Sequence, residues 1–236
     1  MIKKYFLLNV LFTLSFISHA APLDPVQLLS DFVGVDTVNP PGNESRAVDF
    51  YANIFEQEGI EYSSAESAPG RGNIWARIKG GDLPALILLQ HTDVVPATKE
   101  YWDTDPLVAE IKDGYLYGRG VIDMKGAGIS QLVSFIKLHR SGLNLNRDVV
   151  FVATADEEAG GIYGAGWLIE NHPAIFEGAG FVINEGGSGQ IIDGEKVFAI
   201  EITQKVPVWL RFTAVDTPGH GSSPRTTSSV SRIVHA

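Results

Sequence analysis

The sequence predicts an α/β fold, and three observations carry that prediction. Apolar runs at 85–90, 149–153 and 181–184, the second of them rich in β-branched residues, have the length expected of buried strands. Stretches with apolar residues at helical spacing lie between them. Each apolar run stops at acids or at a histidine, and strand ends are where α/β proteins place their chemistry.

Taken in order, residues 1–20 read as a secretory signal peptide. Lys3 and Lys4 form a basic start. Residues 5–17 are apolar but too short to span a bilayer as a helix. Ser18 and Ala20 put small residues at the −3 and −1 positions, so cleavage is expected before Ala21. The protein is then exported, periplasmic or secreted, with no membrane contact after cleavage. The rival reading is an uncleaved anchor, which the short apolar run and the cleavage site disfavour.

Losing Lys3 and Lys4 removes two positive charges and no acid, which takes the net charge from −10 to −12. That balance argues against nucleic acid and anionic membrane surfaces as partners. With 0 cysteines there are no disulfides, so an exported chain must draw its stability from its core and from metal. A chain of 236 residues is long enough for one good core.

A first helix is expected over 22–36, with Val26, Leu29, Phe32 and Val33 on one face. Asn39-Pro-Pro-Gly42 breaks it. Asn43 or Ser45 can cap a second helix, in which Ala47, Phe50, Tyr51, Ile54 and Phe55 recur at helical spacing up to Gly59. Residues 73–79 alternate like a strand, 80–82 turn, and 85–90 form a continuous apolar strand. A hairpin of 108–112 and 115–117 turns at Asp113-Gly114. A long helix over 124–139 carries Ile129, Leu132, Val133, Phe135, Ile136 and Leu138 inward, and Ser141-Gly142 ends it. A short helix is expected over 162–171, and further strands over 196–203 and 207–214.

The chemistry-bearing residues sit at the ends of these elements. His91 and Asp93 are two apart on a strand end and can face one site, the acid holding the second nitrogen of the imidazole. Asp123 stands at a loop-to-helix junction, where a plain N-cap is the alternative role. Asp156, Glu157 and Glu158 are three consecutive acids at the mouth of a buried strand. Alone, they could be a solvated turn. In a buried site they repel unless cations are present. Glu185 ends another apolar run. One imidazole and several carboxylates without thiolate make a hard-to-borderline donor set suited to zinc, manganese or cobalt. The acids exceed what one zinc needs, and two metals sharing a carboxylate would use them.

Five motifs, HTDVVP, GRGVIDMKG, ATADEEAGG, NEGG and GHGSSP, occur in an order and at a spacing that resemble one family. It is the co-catalytic zinc peptidase and amidohydrolase family of glutamate carboxypeptidase, carboxypeptidase S, aminoacylase, acetylornithine deacetylase and succinyl-diaminopimelate desuccinylase. The resemblance implies a three-layer catalytic domain with a mixed sheet over 21–204. It also implies the start of an inserted α+β lid domain over 205–236, through which relatives commonly form homodimers. By resemblance, His91 and Glu185 hold one zinc, Glu158 helps hold a second, and Asp123 bridges them. Asp93 orients His91. Glu157 is the general base for a metal-bound water that cleaves an amide beside a free carboxylate, in a peptide or an N-acyl amino acid. Cobalt or manganese could replace zinc. His220 matches a lid histidine that polarises the scissile carbonyl, its alternative being a histidine in a flexible Gly/Ser loop. A non-proline cis peptide is implied between Asp123 and Met124. His139, His172 and His235 match no motif and read as surface or helix-end residues.

Relatives continue past residue 236 and supply one more histidine ligand, a position that His235 falls too early to fill. The alternative function is therefore a catalytically inactive fragment that acts at most as a metal-binding or interaction module.

Overall fold

The structure is a computed structural model that describes residues 22–203, 205, 208, 210–223 and 225–235. The expected signal peptide lies outside the described residues, as does Pro207 of the last expected strand. The chain divides into two compact units between Glu185 and Gly186. The expected lid start at residue 205 falls within the second unit.

The first unit is built around a mixed five-stranded sheet in the order β1-β2-β6-β3-β7. Its strands are β1 (Tyr62–Glu66), β2 (Gly72–Ile78), β3 (Leu83–His91), β6 (Arg147–Thr154) and β7 (Ala179–Ile183). β1, β2 and β6 pair antiparallel, whereas β3 runs parallel to both β6 and β7. The carboxyl ends of β6, β3 and β7 therefore open on the same edge, with β3 between the other two. The predicted hairpin is present as β4 (Glu110–Lys112) and β5 (Tyr115–Tyr117), with Asp113 and Gly114 at φ 52° and 82° in the turn.

Helices cover both faces. On one face α1 (Pro25–Val33), α2 (Ser45–Glu58) and α3 (Lys125–Ser141) enclose Phe32, Tyr51, Phe55, Phe135 and Phe151, all at 0 % exposure. On the other, α4 (Ala165–Asn171) and the turn after it bury Leu168 and Ile175 against Ile87, Val150 and Val152. The central strands read as continuous apolar runs because both of their faces are covered.

Several expectations are corrected. Val26 is 50 % exposed, so only Phe32 and Val33 of α1 are fully buried. α2 begins on Glu44 without a side-chain cap, rather than on a capping Asn43 or Ser45, because the Glu44 carboxylate is used in a buried network instead. α4 starts at Ala165, three residues later than periodicity suggests, after a turn from Gly160 through Gly164. β7 is exposed along its length, because it is the edge strand and pairs only with β3. β1 goes unread in the sequence because Tyr62-Ser-Ser-Ala-Glu66 is a polar edge strand without an apolar run.

In the second unit β8 (Ser188–Ile192) and β9 (Glu195–Ala199) form a hairpin, and α5 (Ser229–Val234) closes a capping box on Ser228 and Ser231. Strand β9 ends at Ala199 rather than Thr203. The described residues 208 and 210–214 are not strand, although their alternation predicts one. Among the described residues no helix is long and apolar enough to cross a membrane.

Candidate metal centre

The site forms where three parallel strands end together. His91 is the last residue of β3 and only 2 % exposed. Its Nε2 lies 3.1 Å from Asp123 Oδ1, 3.4 Å from Glu185 Oε2 and 3.8 Å from Glu157 Oε2. Its Nδ1 faces back to Asp93, 3.0 Å from the carbonyl and 3.3 Å from Oδ1. The imidazole is thus held from behind and points its free nitrogen at a ring of acids.

Each acid arrives by a different route. Glu157 and Glu158 lie in the turn after β6, Glu185 lies two residues beyond β7, and Asp123 precedes α3. Asp123 is joined to Met124 by the expected non-proline cis peptide. Two groups of three offer ligand atoms within 4.8 Å of one another: His91, Glu157 and Glu185, and His91, Asp123 and Glu158.

The electrostatics follow from burial and crowding. Burial works against a charged His91, yet hydrogen bonds to Asp93 and Glu185 outweigh it and raise the imidazole to about 11. Glu157 is pushed up by burial and then by Glu185, Asp93 and Asp123, with His91 opposing. Glu158 is pushed up by burial and then by Asp123. Glu185 is held down, first by its hydrogen bond to His91. Carboxylates this close share one demand for positive charge. An imidazole and four carboxylates, with the acids partly open to solvent, fit a divalent oxygen- and nitrogen-binding metal. His91 with Glu157 and Glu185, and His91 with Asp123 and Glu158, are the groups that could hold it.

Asp93 does more than orient His91. Its Oδ1 and Oδ2 accept the backbone N–H groups of Glu157 and Glu158, each at 3.1 Å. Burial raises its carboxyl, but the bonds from His91 and Asn39 bring it below the ordinary carboxylate range. One buried side chain thereby fixes both the imidazole and the turn that bears two of the acids.

The structure also recruits residues that the sequence did not mark. Asn39 donates to Asp93 Oδ2 at 2.8 Å and to Asp156 Oδ1 at 3.3 Å, so the turn that reads as a helix breaker is also a hydrogen-bonding part. Arg71 is buried against Asp156 and Glu44. Burial raises the Glu44 carboxyl to about 7 despite Arg71. Lys125, two residues beyond Asp123, donates to the carbonyls of Phe32 and Val35 at 2.9 and 2.7 Å and ties α3 to the end of α1. Its burial lowers the ammonium to about 7. A lone Arg, Lys or Asn carries no periodic signal. For Lys125 the cue is its place inside the motif GRGVIDMKG.

His220 lies in the second unit, exposed, with Nδ1 2.8 Å from Ser222 Oγ. His139 is in the last turn of α3, and His172 caps α4 between Trp75 and Trp167.

Comparison with known proteins agrees with this geometry. Residues 87–230 match the model of peptidase family M20/M25/M40. Aminoacylase-1B of Rattus norvegicus is 32% identical over 200 residues, which cover 84% of this chain and 48% of the relative. Human carnosine dipeptidase 1 has a similar structure, with a TM-score of 0.55 and 27% identity over 68% of this chain and 38% of that one. An M20 family metallo-carboxypeptidase from Sulfolobus solfataricus shares the fold, with a TM-score of 0.60 and 23% identity over 70% of this chain and 38% of that one. The chain spans about half the length of the curated relatives it matches. With its motifs in register and its acids gathered at one sheet edge, the chain belongs to peptidase family M20/M25/M40, a family of metal-dependent hydrolases.

Proposed function

We propose that this chain carries the metal centre of an exported hydrolase that cleaves an amide beside a free carboxylate, in a peptide or an N-acyl amino acid. The observation that carries the reading is the meeting of His91, Asp123, Glu157, Glu158 and Glu185 at one edge of the sheet. The similarity to an aminoacylase and to a dipeptidase supports the substrate class.

Zinc suits the donor set; His91 and Glu185 would hold one ion, Glu158 would help hold a second, and Asp123 would serve both. Bound metal supplies Lewis acidity and makes water a nucleophile near neutral pH. Glu157, half-exposed and with a raised carboxyl, takes the proton from the attacking water and returns it to the leaving amine. Asp93 keeps His91 in one tautomer and orientation. His220 would polarise the scissile carbonyl, and the second unit would form the lid and dimer contact. Residues 1–20 would direct export to the periplasm or medium.

The test is hydrolysis of N-acetyl amino acids and dipeptides by the purified chain with added zinc, with and without chelator. Chelator-sensitive release of free amino acid would support the hydrolase reading. Metal binding without any turnover would leave the chain as a metal-binding module, the alternative function. Absence of both would refute the proposal.

A further inference from the structure

The turn that carries Glu157 and Glu158 starts on Asp156, a non-glycine residue with φ 70°. That conformation is unfavourable for a side chain unless the surroundings hold it. Here they do. Asp156 is 4 % exposed. Its Oδ1 pairs with Arg71 Nη2 and accepts from Asn39 Nδ2 at 3.3 Å, and its Oδ2 accepts the Tyr163 N–H at 3.0 Å. Its own N–H donates to Glu44 Oε1 at 3.3 Å.

Arg71 is anchored in turn. Its Nη1 donates to the Pro41 carbonyl at 2.9 Å and to Asn39 Oδ1 at 3.3 Å, and it lies 3.3 Å from Glu44 Oε1. Asn39 donates to Asp93, and Asp93 accepts the N–H groups of Glu157 and Glu158. The contacts close a buried ring from Arg71 through Asp156, the acidic turn, Asp93 and Asn39, and back to Arg71. The ring holds the backbone of Glu157 and Glu158 from both sides while their carboxylates remain free to face His91.

We propose that the Arg71–Asp156 ion pair is a positioning device for the metal centre, fixing the left-handed start of the turn so that the Glu157 and Glu158 carboxylates stay gathered at His91. This rests on the metal-centre reading above. A ligand on a turn is useful only when its support confines it to within about 0.5 Å, and supporting contacts of this kind are typically worth about 10- to 100-fold in metal affinity.

The test uses Co²⁺ as probe, because its visible absorption reports coordination geometry as well as binding. The full chain and its Asp156→Asn, Asp156→Gly and Arg71→Lys variants are titrated, with thermal unfolding measured alongside. Asp156→Gly removes the cost of the positive φ but lacks the carboxylate, so it separates anchoring from backbone strain. In Asp156→Asn, Arg71 keeps Glu44, the Pro41 carbonyl and Asn39 as partners, and the fold is expected to survive. The expected result is Co²⁺ binding about 10- to 100-fold weaker in both Asp156 variants, with an altered visible band, and a smaller loss in Arg71→Lys. Wild-type affinity and spectrum in Asp156→Gly would overturn the proposal. So would variants that lose only thermal stability. Should the Asp156 variants not fold, wild-type affinity and spectrum in Arg71→Lys overturn it instead. A wild-type chain that binds no Co²⁺ removes the metal-centre reading and this proposal together, whereas equal binding by wild type and variants removes this proposal alone.

Discussion

At the scale of single residues, adjacent acids in one turn are given different work by where each side chain goes. Asp156 turns inward to Arg71, while Glu157 faces His91 at 3.8 Å and is half-exposed. A proton-transferring group needs access to substrate, and Glu157 has it. Replacing Glu157 with Gln is expected to leave metal affinity nearly unchanged and to lower turnover about a hundred- to ten-thousandfold, measured as kcat on an N-acyl amino acid beside zinc content. Loss of zinc in that variant would show that Glu157 is a ligand and that the roles of Glu157 and Glu158 are exchanged. Asp123 tests the other side of the centre. Asp123→Ala is expected to lose most zinc binding in calorimetry, since this carboxylate would serve two ions, and equal binding would remove the bridging role. The residues of the candidate centre were legible in the sequence because acids and a histidine at strand ends, and an acid just before a helix, carry a positional signal. Arg71, Asn39 and Glu44 were not, since nothing in a local pattern distinguishes a buried ionic side chain from an exposed one.

At the scale of elements, legibility tracked burial. β3, β6 and α3 were readable because covered faces demand unbroken or periodic apolar residues. β1 was missed, and β7, although read as a strand, was expected to be buried, both for the opposite reason: edge strands have no such constraint on both faces. Two elements allow quantitative tests. Phe151 of β6 packs its ring within 5.3–5.7 Å of Tyr51, Phe55 and Phe135. Phe151→Ala is expected to cost about 3–5 kcal/mol, read from a lower urea midpoint at unchanged slope. Asp148 joins β6 to β2 and the following turn, accepting from Arg77 at 2.8 Å, Lys79 at 3.1 Å and the Gly80 N–H at 2.8 Å. Burial opposes its ionisation, but these bonds prevail and bring the carboxyl to about 2. A depressed carboxyl stabilises the fold fully above its unfolded value near 3.9 and loses that contribution as pH falls toward the folded value. Asp148→Asn should therefore cost about 2 kcal/mol at pH 7 and roughly half as much at pH 3. A cost independent of pH would mean that the charge on Asp148 is not what stabilises the pair of strands.

At the scale of the whole molecule, the same crowding that makes a metal centre sets a limit on stability. The net charge is −10, and four of the acids converge on one imidazole at the open edge of the sheet. Without a cation, the Glu157 and Glu158 carboxyls are pushed up by burial and by neighbouring acids, so part of the folding free energy is spent in holding them together. With no disulfide to restrain the unfolded chain, a metal bound only in the folded state becomes a direct source of stability. Such a ligand stabilises by about 2.7 kcal/mol at a hundred times its dissociation constant. For a chain of this size each kcal/mol raises the midpoint by about 2–4 °C, so zinc at that excess should raise Tm by roughly 5–11 °C. Chelator should reverse the rise. Potassium chloride at the same ionic strength should reproduce little of it, because screening weakens repulsion without placing an ion among the ligands. The Asp123→Ala variant separates the two effects further: it removes one repelling charge together with the exposed partner 3.1 Å from His91, so its metal-free form should melt close to wild type, yet it should gain little from zinc. A Tm that rises equally with zinc in both proteins would place the binding elsewhere on this acidic surface and sink the assignment of the centre.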